Sequence, residues 1–354
     1  MNGAIATARL ATHCITHSPY RQPEDLVAWL GAVQAQDYPA AKWALGLRLK
    51  SPASERDIEA AVHDGRVLRT HVLRPTWHFV TPRDLDWMLE LTSARVQKLM
   101  AHPYRTFQLD SAIRVQAARV MERALRDGRP LTFAELGSRL AKAGLPSRGT
   151  ALALLTVYAE LERVMCSGPF RGRDLTYIRY STRVPVGRKL SADEALAALA
   201  RRYFQSHGPA TTRDFMWWST LTARDAKRGL EMNDARSEIV DGITYWTVGE
   251  PPAAPRARRS TVHLLPIYDE YLVAYRDRVA VPLGQGRGAA TQLGPVLVIN
   301  DHIAGTWKTV QRDREIGVNV APTRRLTGSE RMALEEVVQQ YGRFLGTVAT
   351  LSVT

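Results

Sequence analysis

Apolar positions in the first 250 residues recur three and four apart in long runs, and short stretches of alternating polarity follow them. That change of period marks helices giving way to strands. DSAIRVQAARVMERALRDG predicts a helix that stops at Gly128. LTFAELGSRLAKAGL predicts a second, with Thr132 as N-cap and Glu135 three residues on as its capping-box partner. Residues 149–162 predict a third, and SGPFRGRDLTYIRYS then reads as two strands about a Gly/Arg turn. The order repeats in SADEALAALARRYFQSHG, in TTRDFMWWSTL with Thr212 as a cap, and in TARDAKRGLEMN. It closes on SEIVDGITYWTVG, where Asp241-Gly242 signals a tight hairpin. Helix, helix, helix, hairpin is the winged helix-turn-helix plan.

The opening third follows this order more loosely. PEDLVAWLGAV predicts a helix, VQAQD an extended piece, SERDIEAAVHDG a helix ending at Gly65, RVLRTHVLRPTWHFVT a wing, and DLDWMLELTSARVQKLM a helix leading out. PPAAPRARRS reads as a linker. Beyond it TVHLLPIYDEYLVAY, GPVLVINDHIAGTWKTV and VATLSV are β-rich, with one helix at SERMALEEVVQQYGRFLG. The expected fold is mainly α with β-wings (α+β). Three winged helices at 1–105, 106–188 and 189–250 precede a β-barrel-like domain at 251–354.

Composition narrows the function. No secretory leader opens the chain and no run approaches membrane-spanning length, so it reads as cytoplasmic. Cys14 and Cys166, the two cysteines, suggest neither a disulfide framework nor a metal knuckle. The formal charge is +13, carried by 41 Arg against 7 Lys. Such a surplus attracts polyanions. A GC-rich genome also enriches Arg, so charge supports a nucleic-acid partner without deciding it. HExxH, zinc-deaminase, Walker and GxSxG signatures are absent. No metal or cofactor is expected, and GQGRG at 284–288 reads as a flexible loop.

Three pieces stand out. Residues two apart share a face on a strand, so an extended Gln34-Ala35-Gln36 presents two amides side by side. Such a pair donates and accepts hydrogen bonds and can hold one water in a fixed orientation. In Arg74-Pro75-Thr76-Trp77-His78-Phe79, alternation puts Arg74, Thr76 and His78 on one face and Trp77 and Phe79 on the other. Asp301-His302 opens a hairpin segment ending at Trp307-Lys308. Each alone reads most simply as ordinary surface or core.

Together, with PIYDEYLVAY between the second and third, they carry a resemblance across the chain to the winged-helix DNA glycosylases of the AlkZ/YcaQ superfamily. The resemblance implies a C-shaped arrangement of three winged helices acting on double-stranded DNA with alkylated or crosslinked purines. It implies DNA repair, and in some members self-resistance to a DNA-alkylating natural product. It also implies that Gln34 and Gln36 are the catalytic pair. The YcaQ-like branch has Asp at the second position, so Gln36 places this chain with the AlkZ-like branch.

The chemistry is compatible. N7-alkylation makes a purine cationic and already a good leaving group. What remains is to position water and steady an oxocarbenium-like sugar, which amide dipoles can do. DNA contacts are expected from Arg74, Trp77, His78, Lys308 and the wing residues Arg171 and Arg173. Asp37, Asp269 and His302 are secondary candidates, with Asp37 expected to face away from the site. Neither Lys42 nor Lys308 is placed by sequence as a Schiff-base nucleophile, so a monofunctional enzyme acting as a monomer is expected. A non-catalytic winged-helix regulator is the alternative. A metal-dependent nuclease lacks its carboxylate cluster.

Overall fold

The computed structural model describes residues 2–250, 260–277, 294–311, 313 and 315–354. Positions 251–259 of the expected linker and the 284–288 run lie outside the described residues. The chain forms two compact units: residues 1–59, 197–218 and 222–354 in one, 60–196 and 219–221 in the other.

The second unit realises the clearest part of the pattern. Helices Ser111–Ala124, Phe133–Lys142 and Gly149–Leu161 precede the hairpin strands Met165–Ser167 and Thr176–Arg179. Leu131–Thr132 pairs with Thr176–Arg179 as a third strand. Thr132 and Glu135 form the expected capping box: Glu135 Oε2 accepts the Thr132 N–H at 2.8 Å and Thr132 Oγ1 accepts the Glu135 N–H at 3.3 Å. Leu136 and Leu140 turn inward with Ala117, Met121, Leu152 and Leu155, all fully or nearly fully buried. Burying each leucine is worth about 2–3 kcal/mol. Earlier in this unit, strands Leu68–His71 and Trp77–Val80 form the expected hairpin, followed by helix Pro82–Leu99.

The first unit holds helices Pro23–Leu30 and Tyr38–Gly46, residues 212–218 of the helix Thr212–Ser219, and the C-terminal sheet, to which Trp43 Nε1 donates at Leu264 O, 2.8 Å away. The hairpin Arg236–Val240/Ile243–Thr247 turns at Asp241 and Gly242, whose φ values of 50° and 77° are those a tight two-residue turn requires. The cap expected at Thr212 sits one residue earlier: Thr211 and Asp214 exchange side-chain bonds to each other's N–H at 3.0 and 3.1 Å. Asp214, three residues after Thr211, fixes that register.

The C-terminal region is β-rich as expected. Its five strands run in the order Val348–Val353, Glu315–Pro322, His302–Gln311, Val296–Ile299, Val262–Leu265. The outermost pair, Val348–Val353 with Glu315–Pro322, is parallel and the others antiparallel. Among the described residues the first and last strands are not paired with each other. Helix Gly328–Leu345 packs along this sheet, and its Tyr341 and Phe344 meet Trp43 at ring separations of 4.9 and 5.2 Å. Among the elements that depart from the sequence pattern are an N-terminal helix Asn2–Thr12, the helix Tyr38–Gly46, the short helices Ala101–Thr106 and Tyr180–Arg183, and a short helix Glu270–Val273 inside the stretch expected to be strand.

Candidate functional site

The Gln-x-Gln segment lies in the first unit between two helices. Gly31, at φ 79°, ends the helix Pro23–Leu30, and Asp37 begins the next by accepting the Ala40 N–H at 3.0 Å. Between them Val33–Gln34 is a strand. Val33 and Ala35 are buried at 2% and 0% exposure, Gln34 is half-buried, and Gln36 is exposed. Burial therefore alternates as the period-2 reading requires, leaving both amides off the core face. Asp37 is occupied as a helix cap, an exposed structural carboxylate.

Behind this strand sits a carboxylate that sequence reasoning passed over. Glu270 is 1% exposed, and its Oε1 accepts the Gln34 N–H at 2.6 Å. Its Oε2 accepts from Trp218 Nε1 at 3.2 Å and lies 3.5 Å from His207 Nε2. Trp218 in turn packs beneath Gly31, where an added Cβ would touch the indole at 3.5 Å. Nothing in the PIYDEYLVAY segment separates Glu270 from its neighbour Asp269; only the fold does. Asp269, a secondary candidate, is tied up structurally: it takes Arg48 at 2.8 and 2.6 Å and caps Tyr271 at 2.9 Å.

Lys42 is buried, its ammonium 2.6 Å from carboxylate oxygens of both Glu55 and Glu59, the setting of a structural cation. Lys308 is exposed on the strand His302–Gln311, whose Trp307 is buried and donates to Leu265 O at 2.8 Å. His302 is exposed and pairs with Asp301 at 2.5 Å.

The wing residues of the second unit part company. Arg74 and Trp77 are half-buried; Trp77 lies 4.6 Å from the His71 ring, with the Arg69 guanidinium 4.5 Å over its face. His78 is fully buried, correcting the expectation that it shares an outward face with Arg74. His78, Phe79 and Val80 are all at 0% exposure, so neither face of the strand is open after Trp77. Burial, with the Arg74 charge second, pushes the His78 pKa well below its usual value, so it stays neutral. Its Nε2 lies 3.5 Å from Arg74 Nη2, so it backs Arg74 from within and is not itself a surface contact. His71 is also buried, paired with the buried Glu160.

On the second wing, Arg171 opens and Arg173 lies within the turn closed by the Arg171–Asp174 bridge. Both are exposed, and Arg171 pairs with Glu135 at 2.6 Å. The Arg171 hydrogen bond, then that of the Thr132 N–H, lowers the Glu135 pKa to about 2. Among the described residues no His/Cys/Asp/Glu group could hold a metal ion, and no helix is long and apolar enough to cross a membrane.

A family model for AlkZ-like DNA glycosylases matches residues 27–344. No curated protein sequence matches the chain. Among solved structures, the DNA glycosylase AlkZ of Streptomyces sahachiroi is similar, with a TM-score of 0.80 at 21% identity, over 100% of this chain and 99% of that one. At that identity the likeness speaks for the fold.

Proposed function

The chain belongs to the AlkZ-like DNA glycosylase family and is a DNA-repair hydrolase; from that premise we propose that it releases N7-alkylated purines, crosslinked ones included, from duplex DNA. Gln34 and Gln36 order the attacking water and turn their carbonyl dipoles toward the sugar as positive charge develops. The observation that carries this reading is the alternation of burial at Val33, Gln34, Ala35 and Gln36, which leaves two neutral amides off the core face of one short segment held between two helices.

Three winged-helix modules at 1–105, 106–188 and 189–250 would present this segment to the duplex as a monomer, with Arg74, Trp77, Arg171, Arg173 and Lys308 at the DNA. In a producer of a DNA-alkylating metabolite the same activity protects its own genome. Neither amide can protonate a leaving base, so cationic lesions are substrates and uracil and hypoxanthine are not. Lys42, held between two carboxylates, is poorly suited to attack the sugar as an amine. Water is the nucleophile, and an intact abasic strand is the product.

The test is single-turnover excision from an N7-methylguanine duplex in EDTA, with borohydride trapping in parallel. Abasic sites without a trapped covalent complex are expected, and Gln34→Ala and Gln36→Ala each lower the rate by tenfold or more. A trapped complex refutes the water mechanism. Binding without base release restores the regulator, and full rates in both variants remove the catalytic assignment.

A further inference from the structure

Packing of Val33 and Ala35 decides which face of the strand the two glutamines occupy, but apolar contact resists sliding along the strand only weakly. A directional tie that opposes such sliding at Gln34 is the 2.6 Å bond from its N–H to Glu270 Oε1, added to the strand's own ladder pairing. Resting on the reading of Gln34 as catalytic, we propose that Glu270 is a positioning residue that sets the Gln34 backbone, and with it both amides, against the reacting sugar.

Adjacent acids make the argument by contrast. Asp269 and Glu270 are each 1% exposed. A buried carboxylate is costly unless it is matched. Asp269 is matched conventionally, by the forked Arg48 guanidinium and a helix-start N–H. Glu270 is directed at the Gln34 N–H, the Trp218 indole and the His207 imidazole. These partners are themselves held: His207 stacks on Tyr203 at 4.9 Å and 10°, its Nδ1 meets Ser206 Oγ at 2.7 Å, and its carbonyl accepts the Tyr275 hydroxyl at 2.7 Å. Trp218 is fully buried under Gly31, where the segment begins. The carboxylate is thus clamped from behind and offers one oxygen forward to the strand. Catalysis by orientation tolerates displacements of well under about 1 Å, so a backbone anchor at this atom bears directly on rate.

The experiment combines single-turnover excision of N7-methylguanine, duplex affinity, and hydrogen exchange of the 31–37 segment in Glu270→Ala, Glu270→Gln and Gln34→Ala. Glu270→Ala is expected to excise at least tenfold more slowly, bind DNA within about threefold of wild type, and exchange the Gln34 amide faster. Glu270→Gln retains an acceptor oxygen and restores the rate to within about threefold of wild type. If Glu270→Ala does not fold, Glu270→Asp decides, because it withdraws the acceptor by one methylene while keeping the charge. A native-like Glu270→Asp slowed about tenfold supports the anchor, and one at full rate overturns it. A wild-type rate or unchanged Gln34 exchange in Glu270→Ala overturns it as well, as does an equal loss of affinity and rate. A slow Gln34→Ala beside a full-rate Glu270→Ala sinks the positioning role alone. A full-rate Gln34→Ala sinks the catalytic reading and this role with it.

Discussion

Gln34 ends a short strand and Gln36 lies in the bend after it, both off the core face that Val33 and Ala35 fill, whereas Trp77–Val80 is enclosed and its His78 is fully buried. Both segments place polar side chains at alternate positions. In the first, small and branched apolar residues at Val33 and Ala35 fill the core face. In the second, Phe79 and Val80 are both at 0% exposure, so consecutive residues point into packed surroundings. Alternation thus assigns faces only where one side of a strand is open. A histidine on a doubly covered strand becomes a neutral internal hydrogen-bonder, whatever its spacing suggests.

This contrast predicts a double dissociation. His78→Ala should lower folding stability by roughly 2–3 kcal/mol, read by chemical denaturation, while the excision rate per folded molecule stays near wild type. An acid limb sharpens it. The folded pKa of His78 is depressed, so its neutral form is favoured by folding. That contribution is complete above about pH 6.5 and is lost as pH falls below it, because the unfolded chain takes up the proton first. His13 is lowered likewise, and His263 to about 4, in both cases chiefly by burial. Between about pH 6.5 and 5 each should remove up to about 1.4 kcal/mol per pH unit, and His78→Leu should delete one share. A flat stability profile across that window would mean that His78 is not buried in solution.

Gln34→Ala and Gln36→Ala should do the reverse. The rate falls at least tenfold, about 1.4 kcal/mol in barrier, while stability moves by about 0.5 kcal/mol or less. A stability loss as large as that of His78→Ala would erase the distinction between the two strands.

The sequence made legible what is local. The capping box at Thr132/Glu135 and the Asp241-Gly242 hairpin depend on residues within three or four positions of one another. The helix Tyr38–Gly46 was not legible. Lys42 through Gly46 are all buried, which removes the polar face a periodic reading needs, and even Lys42 is inside because Glu55 and Glu59 receive it. Glu270 was hidden for a related reason. Its partners Trp218 and Gln34 lie 52 and 236 residues away, so no spacing rule connects them.

A second pair of residues two apart, Arg171 and Arg173, gives the smallest and most diagnostic effect. Equal exposure would make them equal phosphate contacts, and reversing either would lower the slope of log K against log salt by about 0.9. The structure makes them unequal. Arg171 is engaged with Glu135, which also serves the helix cap, so a phosphate must compete for it with a carboxylate already in place. Arg173→Gln should therefore flatten the salt dependence by close to the full amount and Arg171→Gln by about half of it or less. Glu135→Gln tests the cause, because glutamine also serves in a capping box and leaves the helix start intact while releasing Arg171. It should raise duplex affinity about two- to threefold at low salt and steepen the slope. Equal flattening by Arg171→Gln and Arg173→Gln would show that the Glu135 pair opens on DNA at no cost. No flattening by either would move the DNA surface off this wing.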